Sequence, residues 1–282
     1  MISAIMALTA VAIDLMLPAF DDVRTAFGLR EGSADTGRIV TVFFVGMAIG
    51  QIGFGPVADR FGRKRTLYIG VGVYLLGAIG TALAPSFGMM LASRFVWGVG
   101  AGGGRVVAVA AVRDRFEGAA MATAMSRIMA VFMLVPVVAP SIGAVVVAVL
   151  PWRGVFWMCV VWAAAVLLWS LRLPETLRPE HRRSMRLGSV GHGYLEVMRT
   201  RITGGYTVAS VFIQAVFTAY VASSDVIIGD IFDLRDEFPF VFGAIAVMFG
   251  ITALANGRLV AAFGTTRVVV GAFSAQLPLA AA

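Results

Sequence analysis

Charged residues are scarce in this 282-residue sequence: they make up 14% of the chain, whereas 59% of the residues are hydrophobic. Soluble globular domains carry about 25% charged residues and 45–50% apolar ones. The mean hydropathy of +0.89 departs from that balance in the same direction. The shortage of charge therefore predicts a protein that lies in a lipid bilayer.

Cysteine and histidine are also nearly absent. The single cysteine, Cys159, lies within an apolar run, and the two histidines, His181 and His192, share one polar stretch. One cysteine excludes an intramolecular disulfide framework, and the histidines have no ligand set around them in the sequence. We therefore expect no metal site and no cofactor.

Acidic residues are fewer than basic ones, 16 against 23, which gives a net charge of +7. The basic residues do not alternate with aromatic residues, as they do on nucleic-acid-binding surfaces; they separate apolar runs. This pattern is typical of loops that face anionic lipid. It predicts the lipid bilayer as a partner and no nucleic acid.

Apolar runs long enough to cross a bilayer, about 20 residues each, recur along the chain. They predict an all-α polytopic membrane protein of eight or nine helices. The runs lie at 2–20, 39–58, 66–85, 89–112, 120–150, 154–172, 205–229 and 238–262, and a ninth run, 267–282, ends before it is long enough to span. Connections 59–65, 113–119 and 173–204 are rich in Lys and Arg, which predicts a cytoplasmic N-terminus.

An internal repeat relates the two ends of the chain. Gly55, Phe61, Gly62 and Arg65 recur at an offset of 202 residues (257 − 55) as Gly257, Phe263, Gly264 and Arg267. The repeat and the long polar stretch predict a six-helix N-terminal bundle at 1–173, a cytoplasmic linker at 174–204 without a folded domain, and a partial C-terminal bundle at 205–282 (helices 7, 8 and part of 9). Two parallel six-helix halves would leave three helices missing, so we expect a chain truncated at its C-terminus.

The segment 55–65, which reads GPVADRFGRKR, resembles the signature loop between helices 2 and 3 of the major facilitator superfamily. Its glycines allow a tight turn and close approach of the backbone, and its aspartate can cap a helix or pair with an arginine. The resemblance implies a gating loop whose aspartate latches the second bundle; the alternative is a basic loop that only sets topology. The predicted gating residues are Gly55, Asp59, Arg60, Gly62, Arg63 and Lys64.

Other stretches resemble the twelve-helix drug:proton antiporters of the bicyclomycin-resistance (Bcr/CflA) type, and together they cover nearly the whole chain. They are DLMLP at 14–18, RFVWGVG at 94–100, Arg113-Asp114 at the cytoplasmic end of helix 4, PVVAPSIG at 136–143 and PETL at 174–177. The resemblance implies the major facilitator fold and an antiporter motif in helix 5 at Pro136, Pro140 and Gly143. One departure is Trp97, where the family usually has Gln.

Charged side chains within spans are functional candidates, because each costs about 2.5–3.5 kcal/mol at the bilayer centre. Burial disfavours the charged carboxylate, so Asp14 could take up and release a proton. The resemblance links Arg94 to proton handling, and we expect Asp14 to be its partner in the membrane. The alternatives are that Asp14 only ends its helix before Pro18 and that Arg94 forms a structural ion pair.

Further candidates could line a central cavity: Trp97, Arg105, Gln214 and Tyr220. The prolines and glycine of helix 5 predict a hinge there, although membrane helices also tolerate these residues without such a role. No span presents a nucleophile–base set, so we do not expect an enzyme.

These observations favour a proton-coupled transporter that exports small hydrophobic, drug-like compounds by alternating access across a bacterial inner membrane, as a monomer if full length. The alternatives are a solute:proton symporter of the same fold and an inactive truncated remnant.

Overall fold

The structure is a computed structural model that describes residues 1–30, 35–178, 180, 187–234, 237–264, 267–268, 270–272 and 274. The described residues form helices and connecting turns, with no strand among them. The α-helices are α1 (Ile2–Asp14), α2 (Phe20–Ala26), α3 (Asp35–Phe61), α4 (Arg63–Ala82), α5 (Phe87–Arg113), α6 (Gly118–Val149), α7 (Gly154–Ser170), α8 (Leu187–Arg199), α9 (Arg201–Asp225) and α10 (Phe238–Phe263).

The predicted spans correspond to long helices. Among the described residues, six helical segments are long and apolar enough to cross a membrane: Ile2–Ala26, Asp35–Phe61, Arg63–Ala82, Phe87–Arg113, Arg127–Val149 and Thr203–Ser224. Helix α7 is a shorter apolar helix, and the 26-residue α10 covers the eighth predicted run. The ninth run, 267–282, lies mostly outside the described residues. The prediction of an all-α polytopic protein is confirmed.

The first span is broken near its middle. Helix α1 ends at Asp14, and a 3-10 turn at Leu17–Ala19 leads into α2. Pro18 lies in the first positions of that turn, where its missing N–H costs nothing and its ring prevents a regular helix from continuing. Asp14 is therefore the last helical residue before an interruption within the apolar segment.

Helix α5 packs against α1, α3 and α4, and small residues line its contacts. A β carbon at Gly98 would lie 2.0 Å from the Phe43 carbonyl oxygen of α3, and one at Gly100 would lie 2.2 Å from the Tyr74 amide nitrogen of α4. Only glycine permits backbones to approach this closely. The glycine-rich stretch 98–104 is thus a helix-packing surface.

The end of the bundle that carries Arg60, Arg63, Lys64, Arg65 and Arg113 is called the basic end below. Helices of the second half contact the first half away from it. A β carbon at Gly37, near the start of α3, would lie 2.6 Å from the Ala222 carbonyl oxygen of α9, and one at Gly243 of α10 would lie 3.5 Å from the Val137 oxygen of α6. The two halves therefore meet where α9 packs against α3 and where α10 packs against α6.

The predicted repeat has matching backbone geometry in its two copies. Gly62 follows the end of α3 with φ of 96°, and Gly264 follows the end of α10 with φ of 80°. Both values lie in the region that favours glycine. The same turn thus follows the second helix of each half, as the repeat predicts.

The polar stretch between the halves contains a helix that the sequence analysis did not predict. Helix α8 (Leu187–Arg199) precedes α9 almost directly, and its residues 191–199 are all exposed. Tyr194, Leu195 and Met198 lie on one side, while His192, Glu196 and Arg199 lie on the other, as the helical period requires. The linker is thus partly an amphipathic helix.

The tight contact between α3 and α5 predicts a stability difference between two glycines of α3. A β carbon at Gly46 would lie 2.2 Å from the Phe95 carbonyl oxygen, whereas one at Gly53 would meet nothing within 4 Å. We expect Gly46→Ala to destabilise the protein by about 1–3 kcal/mol through overpacking, and Gly53→Ala to be neutral or slightly stabilising. Thermal unfolding in detergent checks this, and equal midpoints for the two variants would contradict the packing described here.

Candidate functional site

Arg63 joins two acidic residues at the basic end. Its guanidinium donates to Asp59 at 2.6 Å and to Asp114 at 2.9 Å, and its side chain is only 9% exposed. Asp59 belongs to the last turn of α3, and Asp114 follows the end of α5. Arg63, the first residue of α4, therefore joins the ends of three helices. Of the two roles predicted for Asp59, capping a helix or pairing with an arginine, the structure shows the pairing.

Glu175 completes this cluster from beyond α7. Its carboxylate accepts from the backbone N–H groups of Arg63 at 2.9 Å and Lys64 at 3.3 Å. The first amides of a helix have no partner within that helix, and the N-cap residue of α4, Gly62, has no side chain to supply one. The glutamate acts as a cap from a distant part of the chain, with the negative charge that a helix N-terminus favours.

Gly62 is required here for space as well as for conformation. A β carbon at this position would lie 2.3 Å from Glu175 Oε2, in addition to the strain of its positive φ. Two further contacts hold the segment after α7: the Thr176 hydroxyl donates to Asp114 at 3.0 Å, and Lys64 Nζ donates to the Leu171 carbonyl at 3.0 Å. The PETL segment is thus docked on the loop that was predicted to act in gating.

The remaining basic residues of the predicted loop lie on the surface. Arg60 and Arg113 are exposed, and the Arg60 guanidinium lies 5.7 Å from the centroid of the Phe61 ring. Gly55 is half-buried and lies next to α8: a β carbon there would be 3.8 Å from the Tyr194 hydroxyl. The loop therefore has an ordered interior built on Arg63 and an exposed basic face.

Asp14 lies at the break between α1 and the 3-10 turn, and only 5% of it is exposed. The carboxylate acts electrostatically on the phenol of Tyr220 in α9. The Tyr220 ring stacks on Phe242 of α10, with centroids 6.1 Å apart and planes 5° apart. Tyr220 of the second half thus lies near Asp14 of the first half.

Arg94 is buried completely, but its partner is not the one that the sequence analysis expected. Its guanidinium donates to the Ala12 carbonyl at 3.0 Å and to the sulfur of Met16. The expected Asp14–Arg94 pair is therefore wrong for this structure: the guanidinium of Arg94 is taken up by Ala12 and Met16, and it forms no ion pair with Asp14.

Aromatic rings surround Arg94 in place of a carboxylate. The guanidinium carbon lies 4.7 Å from the Trp97 centroid, 5.2 Å from that of Phe43 and 5.9 Å from that of Phe156. Such cation–π contacts are worth about 2 kcal/mol when desolvated. The aromatic rings thus supply part of the stabilisation that an acidic partner would otherwise provide.

Trp97 belongs to this cluster. It was predicted as a candidate for cavity lining, but it is packed inside the protein. Its exposed fraction is 0%, and it packs edge-on against Tyr74 and Phe156. Its indole N–H has no hydrogen-bond partner within the described part of the chain. The departure from Gln at this position thus exchanges a polar group for a ring that packs over a buried cation.

The predicted motif of helix 5 lies in α6, where both prolines are inside the helix. Pro140 and Gly143 are buried and Pro136 is half-buried. A β carbon at Gly143 would lie 2.1 Å from the Leu15 carbonyl oxygen, one residue from Asp14. The motif therefore packs against the break in the first span.

The other candidates for cavity lining are scattered. Arg105 is half-buried on α5, and the described residues offer it no ion pair. Gln214 is exposed on α9. The Tyr220 hydroxyl is buried without a hydrogen-bond partner among the described residues. Of the four candidates, Tyr220 alone is brought near Asp14.

Two residues with clear structural roles were not among the predicted site residues. Glu175 was noticed only as part of the PETL resemblance, and Tyr194 was not noticed at all. Gly62 could have indicated a residue such as Glu175. A helix whose N-cap is a glycine has no capping side chain, so its first N–H groups need a hydrogen-bond acceptor from elsewhere in the chain. The signal for Tyr194 was Pro56 within α3, which leaves a backbone carbonyl without its donor.

Comparison with known proteins identifies the family to which this architecture belongs. The model of the Major Facilitator Superfamily matches residues 2–282. The chain belongs to the major facilitator superfamily. The cluster around Arg63 therefore lies in the signature loop of a major facilitator protein, as its resemblance to that loop implied.

Curated relatives of this facilitator bear transporter and drug-resistance names. A bicyclomycin resistance protein homolog of Haemophilus influenzae is 30% identical over 266 residues, which are 94% of this chain and 66% of the relative. The MFS-type transporter YdgK of Bacillus subtilis is 32% identical over 86% of this chain and 59% of its own length. The multidrug resistance protein MdtL of Escherichia coli O81 is 32% identical over 60% of this chain and 44% of its own. The chain thus spans less than two thirds of each of these relatives.

Solved structures support the same fold. A D-xylose-proton symporter superposes with a TM-score of 0.70 at 14% identity, covering 93% of this chain and 68% of its own. The human organic anion transporter MFSD10 superposes with a TM-score of 0.65 at 20% identity, covering 88% of this chain and 69% of its own. At these identities the superpositions establish the fold of this facilitator and nothing finer.

The cap that Glu175 provides predicts a pH-dependent contribution to stability. Partial burial opposes ionisation, but four backbone N–H groups donate to the carboxylate, so the pKa of Glu175 lies below its ordinary value. A carboxyl with a lowered pKa in the folded state stabilises at neutral pH, and this contribution is lost as the pH falls through that lowered pKa. We expect Glu175→Gln to lower the unfolding midpoint at pH 7 and to match the unsubstituted protein in strong acid.

The matched control is Glu117→Gln, because Glu117 precedes α6 without a side-chain capping bond. It should leave the midpoint unchanged at every pH. A Glu175→Gln deficit that persists undiminished below the lowered pKa would contradict the capping role.

Proposed function

We propose that this chain is the greater part of a proton-coupled secondary transporter that exports small hydrophobic, drug-like compounds by alternating access. The observation that carries the proposal is the buried Asp14, at the interrupted middle of the first span and near Tyr220 of the second half. The names of the relatives, which include bicyclomycin and multidrug resistance, support drug export in particular.

The chemistry of Asp14 fits proton coupling. A carboxyl group in an apolar site is readily neutralised by a proton, because burial penalises its charged form. Since Arg94 contacts an α1 carbonyl and aromatic rings and forms no ion pair with Asp14, it does not hold Asp14 permanently charged. Protonation of Asp14 and binding of a cationic or polar drug group would then compete at one place, which is the requirement for antiport.

The contacts of α6 support a link between this acid and alternation. Gly143 touches Leu15 beside Asp14, and the same helix meets α10 of the second half at Val137. A change at Asp14 would thus reach the junction of the halves through one helix that contains two prolines. On this proposal, the cluster around Arg63 holds the basic end of the first half together as it moves.

The proposal places the protein in the inner membrane of a bacterium, with its N-terminus and basic end in the cytoplasm, as the distribution of Lys and Arg favours. The proton gradient is the driving force, since one charge moved across 100 mV supplies about 2.3 kcal/mol. The working unit of the complete protein is a monomer, without a cofactor. Drug and proton are its partners, within the lipid bilayer.

Proton release on drug binding tests the proposal. We expect addition of a hydrophobic cation such as ethidium to the purified, weakly buffered protein to release protons, because the bound drug displaces the proton of Asp14. Asp14→Asn should abolish the release, and Asp22→Asn should not, because Asp22 is an exposed residue of α2. A pH indicator in the detergent solution measures the release.

Drug binding is measured on the same samples by fluorescence anisotropy. Binding without proton release would point to an uncoupled carrier or to a symporter, and release that survives Asp14→Asn would assign coupling to another residue. Either result would refute the proposed role of Asp14.

A further inference from the structure

Helix α3 contains a proline near its basic end, and the proline leaves one backbone acceptor without its usual donor. Pro56 lies inside the helix. Because proline has no N–H, the carbonyl of the residue four positions earlier, Ile52, loses its intrahelical hydrogen bond, and the ring pushes that carbonyl outward. A carbonyl freed in this way is usually paired with another donor.

The donor comes from the linker. The Tyr194 hydroxyl of α8 donates to the Ile52 carbonyl at 2.9 Å, across 142 residues of sequence. Gly55 lies directly beside the contact, since a β carbon there would be 3.8 Å from the same hydroxyl. A longer side chain at position 55 would occupy the path of the tyrosine.

The contact lies beside Pro56, where α3 lacks one backbone hydrogen bond. Beyond Pro56 lie only the last turns of the helix, which carry Asp59 and lead to Gly62 and Arg63. A proline break allows the segments on its two sides to change their angle, and a hydrogen bond to the freed carbonyl restrains that angle.

We propose that Tyr194 is a positioning residue: by bonding the carbonyl that Pro56 frees, it fastens the linker helix α8 to α3 and sets the orientation of the last turns of α3, which carry Asp59. The linker is then a part of the gating apparatus, since it joins the loop after α3 to the first helix of the second half. Its consequence for transport rests on the proposed function, but the contact and the orientation can be measured without transport.

Two pairs of spin labels in a Cys159→Ser background test the proposal in lipid nanodiscs. The first pair, Ile49→Cys with Glu196→Cys, reports the separation of α3 and α8. The second pair, Val45→Cys with Phe61→Cys, reports the angle within α3, and its labels are attached about 24 Å apart along the helix axis. Each labelled position is exposed.

We expect Tyr194→Phe to broaden both distance distributions and to lower the anchored population of the first pair by about two- to tenfold, the size of one neutral hydrogen bond. Tyr206→Phe is the matched control, because Tyr206 is 59% exposed on α9, and it should change neither pair. In a Pro56→Ala background, the Ile52 carbonyl regains an intrahelical donor, so Tyr194→Phe should have no further effect on the second pair.

Three results would overturn the proposal. One is unchanged distances in Tyr194→Phe. A second is broadening of the first pair alone, which would leave the contact a surface attachment without influence on Asp59. The third is an equal effect of Tyr194→Phe in the Pro56→Ala background. Failure of drug-induced proton release in the unsubstituted protein would instead count against the proposed function and leave these distances to decide the role of Tyr194.

Discussion

Backbone groups that lose their regular helical partners must be satisfied by other groups, and at the basic end this constraint determines how distant segments attach. At the basic end, α3 contains Pro56 and α4 has a glycine as its N-cap, so each helix leaves polar backbone groups without a partner inside the helix. Glu175 and Tyr194, which lie far away in sequence, supply the acceptor and the donor. The segments after α7 are thereby tied to the loop that connects α3 and α4.

The buried charged residues Asp14 and Arg94 differ in their surroundings. Arg94 of α5 contacts a backbone carbonyl of α1 and three aromatic rings, and Asp14 of the first span forms no ion pair with it. This separation has a functional meaning: a carboxylate locked to an arginine would stay ionised, whereas one in an apolar junction can exchange its proton. The replacement of Gln by Trp97 contributes to the separation, because the ring packs over the cation.

Much of the fold could be predicted from the sequence because apolar length and basic loops are strong local signals. The repeat at Gly62 and Gly264 was readable for the same reason, since the turn demands glycine. The pairing of Asp14 with Arg94 was predicted wrongly because the sequence does not show that a carbonyl, a methionine sulfur and aromatic rings surround Arg94 in the fold. Helix α8 was missed because its apolar side is short and lies within a polar stretch. Glu175 could not be assigned from sequence, since its role depends on a fold that brings position 175 to position 63.

The central claim is that movement of drug is coupled to a proton gradient, and vesicle transport tests it most directly. Inside-out vesicles that contain the protein are given an imposed pH gradient, acidic inside, and the uptake of ethidium is followed by fluorescence. The account predicts accumulation that depends on the gradient and collapses when a protonophore is added. Uptake no greater than in vesicles without the protein, or uptake that persists after the gradient is removed, would contradict it.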